Sequence, residues 1–288
     1  MVRTGFFILA VVLAAKYCGA AEDPRLAAAL VETARMASVF WHSAPNYTAI
    51  ERLNQRALTL PKRRLRIGAS ANEPPKPDFT HREIVSCYAL SSLKPAPEAL
   101  REFRQIISID AKPLIAAGEA CDKLRAALGS ASEKPKKTLL SEFEKANLAV
   151  TATDFGQLIL LFTKVNLAKY SFEVKGSGLV GADRALIVDY GQRGGAEAFH
   201  VSEPGVEARE PLTGQVWIRE SGLAPLRITL NASRTERSKK IRDEARVDYE
   251  PVAGMILPVS VSYRRFVNEE LHVENIYQYS DWKADDQQ

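Results

Sequence analysis

Residues 225–264 read PLRITLNASRTERSKKIRDEARVDYEPVAGMILPVSVSYR, and their alternation decides the fold class. Leu226, Ile228 and Leu230 alternate with Arg227, Thr229 and Asn231. Ala245, Val247 and Tyr249 alternate with Arg246, Asp248 and Glu250. Leu257, Val259, Val261 and Tyr263 alternate with Pro258, Ser260, Ser262 and Arg264. A period of two, with one apolar and one polar side, is the mark of antiparallel strands whose sheet buries a single face.

Outward from this stretch the β pattern runs from Lys169 to Lys283. KYSFEVKGSG, DRALIVDYG, AEAFHV and TGQVWIRE precede it, and LHVENIYQYSDW closes it, with Gly, Pro, Asn or charged turns between most of them. Upstream, residues 46–58, 82–92 and 101–110 also read as strands. That makes ten or eleven strands, and twisted open sheets of that size curl.

Residues 24–43 have helical spacing, with Leu26, Leu30, Ala34 and Val39/Phe40/Trp41 as the apolar stripe and Pro24 near the first helical position. Residues 112–150 read as two helices around a Lys-rich turn. Residues 153–167 read as a third: Asp154 and Gln157 form a capping-box variant, and Phe155, Leu158, Ile159, Leu161, Phe162 and Val165 cover most of its circumference. A helix apolar nearly all round is buried. The expected fold is therefore α+β: a curled antiparallel sheet, an incomplete barrel, wrapped around a helical plug at 112–167 and preceded by an N-terminal helix.

The first twenty residues carry Arg3, an apolar run from Gly5 to Ala15, and small residues suited to cleavage near Ala20/Ala21, the plan of a secretory signal peptide. Tyr17 before Cys18 does not suit lipidation. The expected organisation is a signal at 1–20 and one half-barrel domain at 21–288, in the periplasm or secreted. Cys87 and Cys121 would then meet an oxidising compartment, either as a disulfide or as two buried thiols.

The 288-residue chain has net charge +4, falling to +2 without residues 1–20. That near-neutral balance argues against nucleic acid as a partner. Hydrophobic residues at 46% and charged residues at 26% are globular values and exclude global disorder. No local catalytic motif is present. His42, His81, His200 and His272 have no metal-ligand spacing, Cys87 and Cys121 lie in no CxxC, and there is no GxSxG, GxxxxGK[ST] or GxGxxG. The carboxylate pairs Asp243/Glu244 and Glu269/Glu270 sit among Arg and Lys at strand starts or turns. No catalytic residue, metal or cofactor is expected. The charged runs 61–66 and 234–246 read as solvated tips, or as docking surfaces for an envelope protein or an anionic membrane.

TGQVWIRESGLAPLRITL, ARVDYEPVAGMILPVSVSY and ENIYQYSDW together resemble the closing strands of the outer-membrane lipoprotein carrier and receptor group. The matching residues are Trp217, Pro225 to Ile228, Val247 to Tyr249, Gly254 to Pro258 and Tyr277 to Trp282. PNYTAIERLNQR, DFGQLILLF, VDYEP and NIYQYSDW also look like a family of exported bacterial proteins with no assigned activity. The carrier resemblance implies a half-barrel and no catalysis. Together with the late cluster of aromatics it suggests a hollow for an acyl chain or lipid-bearing partner, lined by Trp217, Ile228, Val247, Tyr249, Val261 and Tyr263. Two other readings stand beside it: an envelope interaction or structural module with a packed interior, and a hydrolase whose site is assembled from distant residues.

Overall fold

The computed structural model describes residues 23–59, 78–94, 96–146, 148–193, 211–236, 238–252 and 254–284. The leader, the basic run 61–66, AEAFHV (196–201) and His200 lie outside them.

Helix α1 spans Pro24–Ser43. Pro24 opens it, and the Asp23 carboxylate caps it by accepting from Arg25 N at 2.9 Å. It leads into β1 (Tyr47–Thr59), β2 (Asp78–Leu93), β3 (Ala96–Ile109) and the two-residue β4 (Lys112–Pro113). Helices α2 (Ala117–Leu128) and α3 (Lys134–Glu144) follow. After a long irregular stretch come a 3₁₀ turn at Leu158–Phe162 and the short α4 (Lys164–Leu167). The rest is a meander: β5 (Tyr170–Val180), β6 (Asp183–Gln192), β7 (Thr213–Arg219), β8 (Pro225–Glu236), β9 (Lys239–Val252), β10 (Met255–Val267) and β11 (Glu270–Ala284).

These strands form one antiparallel sheet in the order β4-β3-β2-β1-β11-β10-β9-β8-β7-β6-β5. The two chain halves join through β1 and β11, with Leu53 opposite Tyr277. Edge strands β4 and β5 do not pair, so the barrel is incomplete and its concave face needs filling. The fold is the expected α+β half-barrel.

What fills the hollow differs from the reading of 112–167 as one helical plug. Side chains alternate across β2 and β3, so Cys87 and Phe103 point away from the hollow while Tyr88 and Arg104 point into it. Helices α2 and α3 pack on that outer side: Ala120, Leu124 and Leu139 form a second core with Cys87, Ala89 and Phe103. A Cys87–Cys121 disulfide, Cα atoms 5.3 Å apart, ties α2 to the back of β2. Residues 148–162 enter the hollow, where Phe155, Leu158, Ile159 and Phe162 join the main core, and from the end of α3 Phe143 reaches the same core.

This segment is not the expected helix. Asp154 has φ of 68°, and its carboxylate accepts from Glu102 N at 3.0 Å instead of capping a helix. Helix α1 covers one end of the filling, with Ala29, Thr33, Ala37 and Phe40 buried. The stripe predicted from large residues is thus displaced: Leu26, Leu30, Ala34, Val39 and Trp41 are only half-buried. Small residues face inward because α1 lies close against the 3₁₀ turn. One further departure is a bulge at Val259, which shifts the β9–β10 register between Pro258 and Ser260 and interrupts the alternation expected across 257–264.

Candidate functional site

A buried, non-helical backbone must find partners for its N–H and C=O groups. Here the concave face supplies them. Gln55 Oε1 accepts from Ala149 N at 2.7 Å, and Gln55 Nε2 donates to Val150 O at 3.1 Å. Asn275 Nδ2 also donates to Val150 O, and the Tyr277 hydroxyl donates to Ala152 O. Glu102 accepts from Asp154 N and Gly156 N, both at 2.9 Å. The Tyr249 hydroxyl donates to Gly156 O at 3.2 Å and accepts from Ile159 N at 3.1 Å. Gly156 is required here because a Cβ would stand 2.9 Å from both Glu102 Oε1 and the Tyr88 hydroxyl.

Behind these contacts lies a buried ion cluster. Arg104 donates to Glu51 through Nε at 2.6 Å and Nη2 at 2.7 Å, and to Glu102 at 2.7 Å. All three side chains are at most 2% exposed. The guanidinium lies over Phe143 (4.7 Å), Tyr88 (5.3 Å) and Tyr277 (5.7 Å). Burial pushes the Glu51 carboxyl up, against the pull of Arg104. The two carboxylates outweigh the burial of Arg104 and hold its guanidinium charged. Asp154 is pushed up to about 6, by burial first and then by the Glu102 charge.

Five of the six residues expected to line a hollow do share it. Ile228, Val247, Tyr249, Val261 and Tyr263 all belong to the main core and are at most 2% exposed. They meet the chain's own segment: Tyr263 stacks on Phe155 at 5.2 Å between centroids, and its hydroxyl donates to Asp243 at 2.6 Å. Trp217 is on the other face. Within the apolar triplet Val216-Trp217-Ile218, the flanking residues take the inward positions, and Trp217 packs outside under Arg227, 5.7 Å away. The carboxylate pair Asp243/Glu244 is split the same way. Asp243 is fully buried between Arg265, Arg234 and Tyr263, while Glu244 faces outward with Arg242. Among the described residues no group of three or more His, Cys, Asp or Glu could hold a metal, and no helix is long and apolar enough to cross a membrane.

The open apolar surface lies at the α1 end. Trp41, Leu100, Leu158, Leu160, Leu161 and Val165 wall a groove of about 760 Å³, with Asp154, Gln157, Lys164 and Asn166 at its polar points. Val165 is 80% exposed. The sequence reading missed this groove because its walls come from 34–41, 99–100 and 154–166, far apart in the chain. The only local sign was that 153–167 carries more apolar residues than one buried face needs.

The chain is thus an unclosed antiparallel half-barrel filled by its own irregular segment. No family model and no curated protein matches its sequence. Among solved structures it is similar to a DUF1329 family protein from Desulfovibrio piger, with 12% identity, TM-score 0.35, and 92% of this chain and 95% of that one covered. It is similar to a domain named as an outer membrane lipoprotein-sorting protein from Vibrio parahaemolyticus, with 8% identity, TM-score 0.37, and 90% and 93% covered. It is also similar to the lipoprotein LppX of Mycobacterium tuberculosis, with 8% identity, TM-score 0.27, and 89% and 95% covered. At such identities no residue role transfers from them.

Proposed function

We propose that this is an exported, non-catalytic protein that holds an acyl chain or the lipid part of a partner, and that the chain lies in the α1 groove and not in the filled hollow. The observation carrying this reading is the open apolar groove of about 760 Å³, within the size range of small-ligand sites. An acyl chain would lie along Leu158, Leu161 and Val165, with Lys164 and Asn166 beside its polar end. The signal-like leader and the Cys87–Cys121 bridge favour an oxidising, exported location.

The test uses the full mature chain. Lipid extraction and native mass spectrometry should find a co-purifying apolar ligand, and a fluorescent fatty acid should bind saturably. Ala34→Trp, which fills the groove from α1, should weaken binding about tenfold or more. Absence of any co-purified ligand and probe binding, or probe binding indifferent to Ala34→Trp, overturns the proposal.

A second reading, an envelope interaction module, is favoured by the packed interior. It predicts that reversing the exposed Lys240 at the β8–β9 tip abolishes capture of a partner while leaving fatty-acid binding intact.

A further inference from the structure

The hollow has a second mouth, at the opposite ends of the strands that α1 covers. A pocket of about 390 Å³ opens there between the end of β1, the β8–β9 turn and the β10–β11 turn. Its floor is apolar: Ala57, Val150, Ile241, Val267 and Val273. Its charged groups are unlike those of the α1 groove. Among the described residues, Lys239, Arg265 and His272 border it, against a single lining carboxylate, Glu236, which is drawn toward Arg234 at 3.7 Å.

The backbone places His272 deliberately. Arg265 pairs with Val273 and Phe266 with Leu271, so His272 is an extra residue in a β-bulge. Bulges re-aim side chains and recur beside functional sites. The neighbouring Glu274 turns to the opposite face, where it pairs with Arg56 at 2.6 Å and Arg264 at 2.8 Å. That leaves His272 at the pocket and not in the Glu274 pair its spacing suggests.

We propose that this distal pocket binds a small amphiphile with one anionic head, a medium-chain carboxylate, its head against Lys239 and His272 and its tail over Val150, Ile241 and Val267. The charge balance supports an anion. Arg265 is committed to Asp243, at 2.8 and 3.2 Å, so it contributes positive potential while Lys239 and His272 make contact. Asp243 itself is covered by Tyr263, Arg234 and Arg265. The apolar floor supports a tail, because a bare anion would leave that surface wet.

His272 also reports occupancy. Burial lowers its pKa first; Glu270 opposes this, and Lys239 and Arg265 add to it. A bound carboxylate would raise it. Binding then takes up a proton and tightens as pH falls toward 6. This site stands apart from the α1 groove, and either can fail without the other.

The test titrates octanoate into the full mature chain by calorimetry and by NMR of the histidine rings, at pH 6 and pH 7.5, beside Ala34→Trp protein to close the groove. Saturable binding should persist in Ala34→Trp, weaken about tenfold in Lys239→Glu, and be tighter at pH 6. The His272 pKa should rise on saturation, and His272→Gln should remove the pH dependence. Octan-1-ol and inorganic phosphate, tail and head alone, should each bind at least tenfold more weakly. Lys239 is exposed, so its variant should keep the wild-type circular dichroism. Octanol binding as tightly as octanoate, octanoate binding unchanged by Lys239→Glu, an unmoved His272, or binding lost in Ala34→Trp would overturn the proposal.

Discussion

Two walls hold the same segment in different ways. On β1, β3 and β11 the concave face carries a polar network among apolar residues such as Leu53 and Ile106: Glu51, Gln55, Glu102, Arg104, Asn275 and Tyr277 bond to each other and to the backbone of 149–156. On β6 to β10 it is largely apolar, with Val188, Val216, Ile218, Ile228, Leu230, Val247 and Val261 packing against Phe155, Ile159 and Phe162. The polar wall is backed by α2, α3 and a disulfide, whereas the other presents Gln215, Thr229 and Arg246 on its outer side. Hydrogen bonds are directional, so the polar wall sets where the segment sits. Hydrophobic packing is not, so the apolar wall stabilises the segment and adds directional contacts to its backbone only through Tyr249, at Gly156 and Ile159.

The largest expected effect breaks the polar wall at its centre. Arg104→Met leaves Glu51 and Glu102 buried without their cation, at a cost of about 4 kcal/mol. Urea unfolding should show the loss, and limited proteolysis should find new cleavage within 148–157. If cleavage stays absent while stability falls, the polar wall is not what positions the segment. Next is the brace behind it. Cys121→Ser opens a loop with a sequence separation of 34 residues, and chain entropy puts the cost at about 3.8 kcal/mol. Reduction of the wild type should lower the unfolding midpoint equally.

On the apolar wall, Ile228→Ala should cost about 3 kcal/mol by transfer and cavity. Amide exchange should rise across the whole sheet and not selectively at Asp154 and Gly156, whose N–H groups are held by Glu102. Selective loss there would mean that packing, and not hydrogen bonding, sets the register.

The contrast explains what could be read in the chain. Strands β8 and β9 have core on one side and water on the other, so Ile228 and Val247 announced their face. Strands β2 and β3 are buried on both sides: Tyr88 and Arg104 face the hollow, Cys87 and Phe103 face α2 and α3, and no alternation survives. Residues 153–167 read as a helix because apolar spacing reports side chains alone. The competing partners for their backbone, Glu102 and Tyr249, are about 50 to 90 residues away. Trp217 was misplaced because a three-residue apolar run carries no parity. The disulfide was open on spacing, since nothing local brings β2 to α2.

A smaller effect titrates the polar wall. Asp154 sits at about 6 in the folded chain, above its ordinary value of 3.8. Between roughly pH 4 and 6 the folded state therefore holds the extra proton, and stability falls as pH rises through that window. The side chain is 30% exposed, so solvent screening trims the effect to about 1 kcal/mol. Asp154→Asn keeps an acceptor for Glu102 N and should flatten this part of the pH profile of unfolding midpoints. A profile unchanged by the substitution would remove Asp154 from the account.

The smallest effect carries the opposite sign and acts on both walls. The β10–β11 turn holds Asn268 at φ 50° and Glu269 at φ 65°, a primed turn in which glycine is favoured at the second position. Glu269→Gly relieves the left-handed strain. It gives up only the exposed pair with Arg242 at 3.0 Å, so a gain of about 0.5 kcal/mol is expected. Because β10 and β11 belong to different walls, this turn is where they are stitched together. If the hollow unfolds as one unit, amide protection at Gly156 on the polar side and Ile159 on the apolar side should rise together. Protection rising at Gly156 alone would show that the polar wall, with its helical backing, opens as a separate unit.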